Sequence, residues 1–173
     1  RAPTPSGFDG LGPDDWVLLL GALRRLACTR CGIDALIMSD GLQADATACL
    51  AAGLASAHAP VAYAALDVVG VLLCAPADLL SSPADYALEH GAKRAVLNSA
   101  PLLRALFELT RGLARCDTDT LALVRALECF AHVLCDPFAH TTPADGYARA
   151  LAAMCGLGRE LYSLFGHACP LVA

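Results

Sequence analysis

The chain has 173 residues, 57% of them hydrophobic and 17% charged, with a formal net charge of −5. That balance excludes intrinsic disorder, which requires low hydrophobicity and high charge, and the length suits one domain of ordinary size. The acidic excess argues against a general nucleic-acid binder, whose mark is a basic surface.

Residues 1–12, rich in Pro, Gly and Ser, read as an irregular lead-in, and 13–173 as a single helical domain. Pro13 followed by Asp14 and Asp15 starts a helix, since proline suits the first turn and carboxylates favour the positive end of the helix dipole. Its apolar stripe is Leu19, Leu20, Leu23, Leu26 and Ala27, and Arg24 and Arg25 lie near its end. Residues 32–42, with Gly32, Ser39, Asp40 and Gly41, look like a connection. A second helix is expected over 43–57 and a third from Pro60 to about Cys74. Ser82-Pro83-Ala84-Asp85 and Thr142-Pro143-Ala144-Asp145 repeat one start signal: a hydroxyl cap, proline, then a carboxylate. The first opens a short helix that Gly91 is expected to end. After Ser99 and Pro101, Leu102, Leu106, Leu109 and Leu113 fall on one helical face, with Arg104, Glu108, Arg111 and Arg115 on another. Asp117 or Thr118 then caps a helix whose buried stripe is Leu123, Val124, Leu127, Phe130, Ala131 and Leu134. The last helix runs from Thr142 to about Phe165. No segment alternates with period two between hairpin turns, so the expected fold is an all-α single-domain bundle of about seven short to medium helices.

One lysine (Lys93), one asparagine (Asn98) and two isoleucines (Ile33, Ile37) imply very GC-rich coding DNA. With nine cysteines in so short a chain, a GC-rich large DNA virus is the expected source. The odd cysteine count and their places in apolar helical runs suit reduced thiols, hence an intracellular setting, the cytoplasm or nucleus of an infected host cell. No apolar leader follows Arg1-Ala2-Pro3-Thr4-Pro5. From Ala46 to Ala77 only Asp67 is acidic or basic, but His58-Ala59-Pro60 divides the stretch into pieces too short to span a bilayer.

Chemistry-bearing patterns are few. Cys28-Thr29-Arg30-Cys31 has the spacing of half a zinc knuckle and needs a second ligand pair, for which Cys129, His132 and Cys135 are the candidates, or His167 with Cys169. There is no GxSxG, no HExxH and no glycine-rich phosphate loop, and the acidic residues concentrate at helix starts. An enzyme is not expected. The apolar excess points instead to a partner, a groove or a homodimer face, with Leu102, Leu106, Leu109, Leu113, Phe107 and Phe130 as the expected partner-binding residues. Trp16, Tyr147, Tyr162 and Phe165 are further candidate anchors.

The run Leu123-Val124-Arg125-Ala126-Leu127-Glu128-Cys129-Phe130-Ala131-His132-Val133-Leu134 resembles the central helix of the Bcl apoptosis-regulator family, with Leu121-Ala122-Leu123 standing where that family has Trp-Gly-Arg. The resemblance implies a viral Bcl-like helical modulator of host cell death or innate signalling. Leu26-Ala27-Cys28-Thr29-Arg30-Cys31, with the spacing Leu54-Ala55, Pro60, Gly70 and Ala84-Asp85, is similar to the C-terminal domain of herpesvirus mRNA-export regulators. That likeness implies a dimeric, zinc-stabilised regulatory domain. The leading expectation is a non-enzymatic interaction module without a cofactor, whose partner is a host or viral protein or a second copy. The alternative is the zinc-stabilised domain. Neither a small-molecule substrate nor nucleic acid is expected.

Overall fold

The computed structural model describes residues 10–38, 40–74, 83–116, 119–134, 156 and 158–164. Among them are eight helices and no strand: an all-α single-domain bundle. The helices are α1 (Pro13–Ala27), α2 (Arg30–Met38), α3 (Asp40–Leu54), α4 (Ala59–Leu73), α5 (Pro83–Asn98), α6 (Ala100–Cys116), α7 (Thr120–Leu134) and α8 (Gly158–Leu164). None is long and apolar enough, among the described residues, to cross a membrane.

The start of α1 follows its sequence signal. Pro13 occupies the first turn, and the Gly12 N–H donates to the Asp15 carboxylate at 3.2 Å. Residues 32–42, expected as a connection, are instead helical on both sides of Ser39. Thr29 makes the difference. Its Oγ1 accepts the Gly32 N–H at 3.1 Å and donates to the Leu26 carbonyl at 3.0 Å, ending α1 and capping α2 in one residue. Gly32 is a close approach rather than a break: a Cβ there would lie 2.0 Å from the Leu26 carbonyl oxygen.

α3 therefore begins earlier than expected and ends at Leu54, while α4 matches its expected span. α5 passes through Gly91 to Asn98, against the expected stop. Ala92, Ala95, Val96 and Leu97 are buried beyond that glycine, and their packing outweighs the roughly 1 kcal/mol that a helical glycine costs. The cap of α7 is Asp119, which accepts the Ala122 N–H at 3.0 Å; Asp117 and Thr118, the expected caps, lie outside the described residues. Of the expected helix 142–165, only 156 and 158–164 are described, and these are helical.

Four helices form a ring of neighbours: α3 packs on α4, α4 on α7, α7 on α6, and α6 back on α3. α4 is central, with eight of its 15 residues buried, and it also supports α1 and α5. Small residues let the ring close tightly. A Cβ at Gly53 of α3 would meet that of Ala65 of α4 at 2.9 Å, and the Cys129 Sγ of α7 sits 3.9 Å from a Cβ at Gly70 of α4. The core fills with Leu50, Leu73, Leu102, Leu106, Leu123 and Phe130. Thr110, buried among them, donates to the Leu106 carbonyl at 2.7 Å, so its hydroxyl is satisfied within its own helix.

Candidate functional site

An open groove of about 1380 Å³ runs between α3 and α6 and reaches the end of α5. Its α3 wall is Ala44, Thr47, Ala48, Ala51 and Ala55; its α6 wall is Pro101, Ala105, Leu109, Gly112 and Cys116. Both walls follow from helical geometry. α3 turns Cys49, Leu50 and Leu54 into the core, which leaves a stripe of small residues at i, i+4, i+7 and i+11 facing outward. α6 buries Leu102, Leu106 and Thr110 and presents its small residues about a quarter-turn away. Arg104 and Glu108 of α6 and Gln43 of α3 are its polar edge. Glu108 is also ion-paired with Arg111 one turn on.

The expected partner-binding residues separate into three groups. Leu102, Leu106 and Phe130 are buried, so the assignment of a contact role to them is corrected: they hold the ring together. A leucine stripe on a strongly two-faced helix in a single-domain bundle is its core face. Leu109 and Leu113 do reach the groove, Leu109 half-exposed and Leu113 at its floor. Phe107 faces elsewhere. It lies against Gly156 under the Arg111 guanidinium, 5.5 Å from the ring centre. Tyr162 is exposed and Trp16 half-buried against the core, while Tyr147 and Phe165 lie outside the described residues. Ala131, expected in the core stripe of α7, is exposed.

Among the described residues, the candidate zinc ligands form no metal-holding group. Cys28 is the half-buried C-cap of α1, and Cys31 is exposed in the first turn of α2. Cys129 is buried against α4, His132 is exposed on α7, and Cys135 with His167 and Cys169 lies outside the described residues. Among the described residues no three His, Cys, Asp or Glu side chains are placed to share a metal ion. Burial pushes the Cys129 thiol up to about 12, with Glu128 adding to the shift, which opposes the thiolate a metal needs. Cys129 and His132 line a cleft of about 150 Å³ between α4 and α7 together with Cys74, Asp67 and Arg24. Burial also raises the Cys49 thiol to about 11. Tyr63 of α4 donates to Asp119, and its phenol is raised by desolvation first and by that carboxylate second.

No family model, no curated protein and no solved structure matches this chain. The α3 face was missed in the sequence because alanine carries little hydrophobic signal. Ala44, Ala48, Ala51 and Ala55 nonetheless have the same spacing as the leucine stripe of α6.

Proposed function

We propose that the chain is a non-enzymatic interaction module whose α3–α6 groove seats one amphipathic helix of a partner protein. The observation that carries this reading is the size and chemistry of the groove. A helix of three turns, about 10 Å across and about 15 Å long, occupies about 1,200 Å³, close to the 1380 Å³ available. Drug-sized ligands usually sit in pockets of about 300–1,000 Å³. Here alanines of both walls flank Leu113, and the shallow wells between them suit bulky side chains on the incoming helix at i, i+4 and i+7. The viral source, the infected-cell setting and a host death or innate-signalling protein as partner belong to this proposal. They rest on composition and on the Bcl-like run in α7.

The test is selection of binders from a displayed library of three-turn amphipathic helices, followed by titration against Ala48→Trp and Gly112→Trp. Both positions line the groove, and neither is packed against the core. The expected result is a family of helices with bulky residues at that spacing, bound by the native chain and lost in both variants. Selected helices that bind both variants unchanged would refute the reading, as would failure to select any helix.

A further inference from the structure

The outward face of α1 carries a second surface, distinct from the groove. Leu11 is 40% exposed, Leu18 71% and Leu26 49%, three of the five large apolar side chains exposed among the described residues. At about 100° per residue, Asp15, Leu18, Ala22, Arg25 and Leu26 share one narrow face, opposite the buried Leu20 and Ala27. Leu11 lies two residues before the helix, beyond the extended N-cap Gly12. The stripe is acidic at one end and basic at the other: Asp15 in the first turn and Arg25 in the last.

We infer that this face pairs with α1 of a second copy, antiparallel, to form a symmetric dimer. The charge order selects both the occupant and the direction. An antiparallel pair sets Asp15 of each copy beside Arg25 of the other, twice by symmetry, and opposes the two helix dipoles. The same register places Leu18 beside the second copy's Ala22 and within one helical turn of its Leu18. Ala22, the small residue of the stripe, lets the backbones approach near the crossing. A parallel pair would put Asp15 over Asp15 and Arg25 over Arg25, which like-charge repulsion disfavours. One helix pair is a small interface, so the dimer dissociates in the range of micromolar concentrations.

Sedimentation equilibrium of the full chain from low to high micromolar concentration tests this. The native chain is expected to dimerise, and Leu18→Glu to remain monomeric with unchanged helicity and Tm, because Leu18 supports no part of the core. Asp15→Arg and Arg25→Asp are each expected to weaken self-association by about tenfold. Mixed in equal amounts, those two variants are expected to form a heterodimer as tight as the native pair. A native chain that is monomeric throughout overturns the inference. So does a dimer that Leu18→Glu leaves intact, or a mixture that gains nothing over its components. Groove binding by the selected helices is unaffected by Leu18→Glu in every case, so the two proposals fail separately.

Discussion

Cys129 and Cys49 show how position governs a thiol. Both are buried in the ring of helices, and burial raises them to about 12 and about 11 from an ordinary value of 9.0. Cys31, Cys74 and Cys116 are exposed. Alkylation at neutral pH is therefore expected to modify those three within minutes and to reach Cys49 and Cys129 only on unfolding, as peptide mapping would show. The same burial links stability to pH. A thiol raised in the folded state stays protonated there while its unfolded counterpart ionises, so stability is full below about pH 9 and falls as pH rises toward 12. Chemical denaturation across that window should show the decline, and Cys129→Ala should make it shallower. A native chain equally stable at pH 8 and pH 11 would contradict the assignment.

Between elements, the glycines are ordered by what surrounds them. Gly53→Ala presses a methyl onto Ala65 at 2.9 Å and is expected to destabilise the chain by about 1–3 kcal/mol. Gly32→Ala meets backbone at 2.0 Å, cannot be relieved by a side-chain shift, and is expected to cost more. Gly21→Ala meets nothing within 4 Å and is expected to stabilise by about 0.5–1 kcal/mol. Denaturant midpoints of the three variants check that order. These residues also show where sequence reading holds and where it fails. Pro13 with its two aspartates and the Leu102 stripe announce α1 and α6, because capping and a 3.6-residue period are local properties. Gly91 looks like a break in the sequence because the packing that overrides it comes from helices distant in sequence, whereas at Gly32 the local Thr29 cap starts α2. Asp119 caps α7 and also faces the Tyr63 hydroxyl of α4. Asp119→Ala is expected to cost about 1 kcal/mol, as for other lost caps. The candidate site was half legible: Leu109 and Leu113 lay within the named stripe, but its α3 wall is alanine, which no hydrophobic scale singles out.

At the scale of the whole molecule, burial separates side chains that hold the bundle from side chains that face its groove. Leu106→Ala opens a cavity at the centre of the ring and is expected to cost about 2–5 kcal/mol. Leu109→Ala, half-exposed one turn away, is expected to cost far less and to weaken the selected helices instead. The two effects are separable by measuring unfolding and helix binding on the same pair of variants; equal destabilisation would place Leu109 in the core. The alanine face of α3 has a consequence for descent. Ala44, Ala48 and Ala55 line the groove without packing against the core, so a larger residue at any of them reshapes the groove without disturbing a core contact. On the proposed function, lineages of such a chain would exchange one binding preference for another by single substitutions, each viable as a folded protein, and so keep pace with a changing partner.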